Sequence, residues 1–334
     1  MNRAQRRRNG TRSKAALISA SLATSALVGY VSYLRPISAF ANTDCVVTHE
    51  GLGAGSGGAK TLRDCIDEVS AGDTITFADS VTEIVIDQPG QTFLIDQSLT
   101  IDGYSGRSGS RVILDGTGFY QLFDASAGSL TLKDLVLKNA YSNSSGGALV
   151  ALGTGDTDVD VYLEGVYAYD NSSPVGGTVS ADGNVNVLSS ANYPSIFALV
   201  GGPVGALQIG GAIQSDKTVT VGAGAEFKYL EASVQGGAID ATDVVINGGV
   251  FYENYAASGG SIFATGDVTV SSSEQTATFT RSRASVHGGA IHADTVTFGG
   301  GTVTGETDVI DASVGGAIYA TSSVTINGGT FTEL

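Results

Sequence analysis

The sequence predicts an all-β chain, a right-handed parallel β-helix with a short N-terminal capping helix, and three observations predict it. A Gly-Gly-Ala-Ile element recurs along the chain, short β-rich runs recur in register with it, and no helical period persists beyond about residue 72. Composition agrees: 47 Gly against 5 Pro, no Trp and 15% charged residues favour tight turns and thin packed layers. With 42% hydrophobic residues in 334, a continuous core can be filled.

The element appears as Gly146-Gly147-Ala148-Leu149, Gly210-Gly211-Ala212-Ile213, Gly236-Gly237-Ala238-Ile239, Gly259-Gly260-Ser261-Ile262, Gly288-Gly289-Ala290-Ile291 and Gly315-Gly316-Ala317-Ile318. A degenerate copy is Gly176-Gly177-Thr178-Val179. First glycines are separated by 30, 34, 26, 23, 29 and 27 residues, the length of one solenoid coil with loops of variable size. Coils stacked at about 4.8 Å leave room at a corner only for a residue that bends sharply without a Cβ clash, which glycine does. The small residue after the pair points into the narrow interior, and Ile or Leu fills the broader part. Runs such as Leu99-Thr100-Ile101, Leu130-Thr131-Leu132 and Val244-Val245-Ile246 supply about three short strands per coil, with Gly at the corners. Residues 73–334 then give on the order of ten coils, a rod of roughly 50 Å. The stretch around Gly201-Gly202-Pro203 departs most from the repeat and reads as an inserted loop. The chain stops at Leu334 partway through a repeat, so the solenoid is expected to be C-terminally incomplete.

Residues 1–41 read as a cleaved signal peptide, with a retained signal anchor as the alternative: a basic start (Arg3, Arg6, Arg7, Arg8, Arg12, Lys14), an uncharged run over 15–34, and Ala39-Phe40-Ala41. Residues 42–72 read as an N-terminal cap. There Thr61 is an N-cap with Asp64 three residues on, and Leu62, Cys65, Ile66 and Val69 share one helical face, which ends at Ala71-Gly72. The only cysteines, Cys45 and Cys65, both belong to this segment. Export permits a disulfide between them; two free thiols are the alternative.

Loss of the leader leaves ten basic residues against 33 acidic ones, a formal charge of −23. Such a field repels phosphate backbones and anionic lipid, so nucleic acid is not an expected partner, and membrane association is expected only through the signal peptide or a C-terminal anchor.

These repeats, together with Phe251-Tyr252-Glu253-Asn254, resemble the Gly-Gly-Ala-Ile and Phe-x-x-Asn repeats of the chlamydial polymorphic membrane proteins. A looser match to the second motif is Val136-Leu137-Lys138-Asn139, and Phe227 to Leu230 and Phe279 to Ser282 do not fit it. The run Thr61-Leu62-Arg63-Asp64-Cys65-Ile66, followed by Gly72-Asp73-Thr74-Ile75-Thr76-Phe77, is similar to the capping segment of bacterial surface β-helix proteins. The resemblance implies a β-helix displayed at a bacterial surface, an autotransporter-like passenger acting in adhesion, with Asn254 as a structural repeat residue.

Candidate chemistry is sparse. Asp156, Asp158 and Asp160 alternate and are a weak candidate for calcium, though they lack the glycine an EF-hand loop needs; no other cofactor is expected. Arg281 and Arg283 could hold a sugar or a carboxylate, with Ser282 facing the other way, and Tyr167, Tyr169, Tyr252 and Tyr255 could stack on sugars or partner chains. His287 and His292 flank a repeat without an evident acid-base partner. The expectation is a noncatalytic exported scaffold, adhesin-like, with host or cell-surface proteins or glycans as partners. The alternative is a carbohydrate-active β-helix enzyme, a polysaccharide lyase or glycoside hydrolase.

Overall fold

The structure is a computed structural model that describes residues 44–53, 55–155, 157–198, 208–272, 276–305 and 314–333. The leader 1–41, Asp156 and the Gly201-Gly202-Pro203 loop lie outside the described residues. Strands of successive coils pair in parallel throughout, and the chain is a parallel β-helix. Three faces make each full coil. The first begins at the Gly-Gly pair (Leu149–Ala151, Val179–Ala181), the second follows it (Asp160–Glu164, Val185–Leu188), and the third is a 10-stranded sheet running from Glu83–Val85 to Thr330–Thr332. In later coils the first two faces fuse into single long strands such as Ile213–Val221 and Ile239–Ile246.

Alternation along each strand puts one apolar set inside, and parallel registration turns each inward position into a column. Leu149, Val179, Ile213, Ile239, Ile262 and Ile291 form one such column, all fully buried. On the third face Phe197, Phe227, Phe251 and Phe279 stack with centroids 5.0, 5.0 and 4.7 Å apart and rings within 8° of parallel. Ring spacing close to the inter-strand repeat is what allows identical residues to stack without strain.

The glycine pairs divide their work. Gly146, Gly210, Gly236, Gly259, Gly288 and Gly315 all have positive φ. At Gly236 (φ +58°) a Cβ would also lie 2.0 Å from Ile239 O. Its neighbour Gly237 is constrained by the next coil instead: a Cβ there would sit 2.0 Å from Gly260 O. Gly147, Gly211, Gly260 and Gly289 meet the glycine carbonyl one coil on, that of Gly316 in the last case, at 1.9 to 2.2 Å in the same way. The residue that follows, Ala148, Ala212, Ala238, Ser261 or Ala290, is buried.

Glycine does not hold every corner, contrary to the sequence expectation. The corner leaving the third face is left-handed at Asn139, Asp170, Tyr229, Glu253 and Arg281 (φ +50° to +57°). Their side chains are exposed at Asp170 and Tyr229 and partly exposed at Asn139, Glu253 and Arg281. The position after it is buried: Ala140, Asn171, Leu230 and Asn254. Asn254 Oδ1 accepts from Leu230 N (3.1 Å) and its Nδ2 donates to Phe227 O (3.1 Å), satisfying backbone groups that the bend takes out of the ladder. Asn171 does the same for Ala140 N and Leu137 O. Registration therefore corrects the motif reading: Ala168-Tyr169-Asp170-Asn171 is the second full corner, and Val136-Leu137-Lys138-Asn139 is one residue out of step, since Leu137 pairs with Ala168. Phe227 to Leu230 and Phe279 to Ser282 occupy the same corner with Leu or Ser in place of Asn.

The cap is a helix, Leu62–Glu68, shorter than the period suggested because Val69 is already extended and Ser70 N turns back to Asp73 Oδ2 (2.8 Å). Thr61 and Asp64 form a reciprocal capping box. Cys45 and Cys65 are joined by a disulfide that ties the helix to the strand Cys45–Val47, itself paired with Thr74–Phe77.

Gly237→Ala is expected to cost about 3 kcal/mol or more, because two backbones must separate. Gly90→Ala, at φ +80° with nothing near its Cβ, is expected to cost only about 1–2 kcal/mol. Urea titration of the two variants checks this, and equal costs would mean the close approach is not a constraint.

Candidate functional site

The left-handed corner stacks Tyr229, Glu253 and Arg281 above one another, and the two residues after it are equally aligned: Glu231 bridges Tyr255, and Tyr255 pairs with Arg283. Three successive coils thereby bring Tyr229, Glu231, Glu253, Tyr255 and Arg283 around one cleft of about 480 Å³. That is within the range of small-ligand sites. Tyr229 is half exposed, and its ring meets that of Tyr252 edge-on at 5.5 Å.

Charge in the cleft is partly committed. Arg281 Nη1 donates to Glu253 Oε1 (2.8 Å) and reaches the Tyr252 hydroxyl at 3.4 Å. The Tyr252 hydroxyl and then Arg281 hold the Glu253 carboxyl below the usual carboxylate range, and the same contact with Glu253 raises the Tyr252 phenol. The side chain of Arg283 has no hydrogen bond or ion pair with the described residues, and it lines the cleft. Ser282 between the two arginines faces the other way, onto Ser261 (2.6 Å). A guanidinium beside two phenols can hold a carboxylate or hydroxyl oxygen with paired donors while a pyranose face or apolar group lies on a ring.

Sequence reasoning singled out Arg281, Arg283, Tyr252 and Tyr255, and the fold brings them together. It missed Tyr229 and Glu231, whose signal was the registration of Phe227 with Phe251. The other singled-out residues do not join this cleft. Asp158 pairs with Lys217 (3.3 Å), and Asp160 accepts from Asn184 N and Nδ2 (2.8 and 3.0 Å). Both are thus engaged in surface contacts, and among the described residues no three His, Cys, Asp or Glu form a group able to hold a metal ion. Tyr167 and Tyr169 meet at 4.9 Å with their rings inclined at 37°, on an earlier stretch of the third face. Near them Arg111, not anticipated, lies 4.3 Å over the Tyr193 ring and donates to Gly165 O (2.8 Å). Ser190 and Asn192 bind the buried Asp134 beside it, which pins the loop carrying Tyr193.

A further polar residue lies on the first face. Asp240 occupies the outward column of Ser180, Gln214, Phe263 and His292. Its Oδ2 is enclosed without a hydrogen-bond partner among the described residues. Burial, and then the charge of Asp216, push its carboxyl up to about 7.

Comparison with protein-family models, with curated proteins and with solved structures found no match for this chain.

The Asp240 shift gives a pH dependence of unusual sign. Folding favours the protonated acid, so stability is undiminished below the unfolded-state value near 4, falls progressively as pH rises from there to about 7, and above that is lower by on the order of 4 kcal/mol. Asp240→Asn should therefore stabilise the protein at pH 8 and change little at pH 4. Denaturant melts at both values decide it; the same difference at each would show that the carboxyl titrates normally.

Proposed function

We propose that the chain is a noncatalytic exported β-helix scaffold, adhesin-like, that binds glycans at the cleft of Tyr229, Tyr255 and Arg283. One observation carries the reading: the Arg283 guanidinium lines, beside two tyrosines, a cleft built by three stacked coils. Tyrosine faces match the apolar faces of sugar rings, and the planar guanidinium matches paired oxygens. Export to a cell surface is part of the same proposal, supported by the leader-like residues 1–41 and the resemblance of the repeats.

The carbohydrate-active alternative would use Glu231 and Glu253, the two carboxylates of the cleft. Glu253 is a poor proton donor, because Tyr252 and Arg281 favour its ionised form. Its geometry suits orientation of a bound sugar better than protonation of a leaving group.

A glycan array probed with the disulfide-intact chain, followed by calorimetry on the best hit, tests the proposal. Arg283→Ala and Tyr229→Ala should each weaken binding about tenfold or more, equivalent to about 1.4 kcal/mol. Binding untouched by both substitutions would place the ligand elsewhere. Chain shortening of the bound glycan, abolished by Glu231→Gln, would replace the scaffold reading with the enzymatic one.

A further inference from the structure

The same stacking that builds the cleft converges two of the three histidines of the chain on another face. His287 precedes the Gly288-Gly289 corner, and His292 follows the buried Ile291. The left-handed Gly288 (φ +61°) folds the chain so that the two outward side chains approach each other. Their ring centroids are 5.4 Å apart with planes inclined at 68°. Neighbouring coils close the sides. Phe263 meets His292 edge-on at 4.8 Å, and the Tyr319 ring stands 4.6 Å from His287 and 4.8 Å from His292. His292 Nδ1 is enclosed and has no hydrogen-bond partner among the described residues.

We propose that His287 and His292 form a two-imidazole chelate for one zinc or nickel ion, with solvent completing its coordination. Two imidazoles sharing one tetrahedral ion, at metal–nitrogen distances of about 2.0–2.1 Å, hold their ring centroids roughly 5 Å apart, which the observed separation matches. Borderline ions prefer imidazole nitrogen, whereas calcium and magnesium require oxygen ligands, so the donor set selects the transition series. Aromatic walls on both sides fix the ring planes and limit the reorganisation that binding requires. With only two protein ligands the ion is held labile and open to an external donor, such as a histidine of another protein.

Both cysteines are in the disulfide, so no thiolate competes and the test is simple to assign. Zinc and nickel titrations of the disulfide-intact full chain, followed by calorimetry, should give one ion per chain. His287→Ala and His292→Ala should each reduce affinity at least tenfold, and His49→Ala should leave it unchanged. Circular dichroism verifies that each variant retains its β-structure. Independently of any substitution, substoichiometric nickel should selectively broaden the imidazole proton resonances of His287 and His292 in the wild-type chain. Absence of binding, binding unaltered in the double variant, or broadening at His49 first would overturn the proposal.

Discussion

At each Gly-Gly corner the backbone of one coil rests directly on that of the next. Gly211 N donates to Gly236 O (2.9 Å), Gly237 N to Gly259 O (3.2 Å) and Gly260 N to Gly288 O (3.2 Å), with the following Ala or Ser amide continuing the ladder at 2.9 to 3.0 Å. A side chain at the second glycine would occupy the space of a carbonyl oxygen in the adjacent coil. This close approach fixes where the first face begins, and hence which side chains of every later strand are buried. A slip of one residue at a corner would turn a column of Ile and Ala outward. Stability is consequently a property of neighbouring coils, and a single coil has nothing to bury its apolar face against.

Registration also explains how a repetitive chain acquires local chemistry. Because each outward position stacks on its counterpart, a surface site is written one residue per coil. Tyr229, Glu253 and Arg281 are the same corner position read three times, and His287 and His292 meet only because the corner between them folds back. The left-handed corner is occupied by residues for which that conformation is unfavourable by roughly 1 kcal/mol or more. The buried Asn254 and Asn171 compensate by bonding to backbone groups of the preceding coil, so a structural ladder inside supports the variable side chains outside.

The parts of the fold that depend on what a residue lacks were legible in the sequence. Only glycine meets the demands of Gly236 and Gly237, so the repeat, the coil length and the first face could be read directly. The capping box was equally plain, since Thr61 and Asp64 act within one helical turn. The third-face corner was not legible, because Asn139, Asp170, Tyr229, Glu253 and Arg281 share a backbone conformation and no side-chain property. That gap cost the register of Val136-Leu137-Lys138-Asn139 and hid Asn171, whose motif begins with Ala168 instead of Phe. Of the cleft, Arg283 and Tyr255 stood out by type, as did Arg281 and Tyr252 beside it, whereas Tyr229 and Glu231 acquire meaning only by stacking. The environment of Asp240 depends on Asp216 in the adjacent coil and on burial, neither of which a linear pattern carries.

Residue-resolved hydrogen exchange at the corners tests the central role of the glycine pairs most directly. Amides of Gly211, Gly237 and Gly260 should exchange as slowly as those of Val244 and Ile246 in the middle of the sheet, because they open only when adjacent coils separate. Corner amides that exchange at loop rates while the faces remain protected would contradict the account, placing the constraint in the sheets and reducing the Gly-Gly pairs to connecting turns.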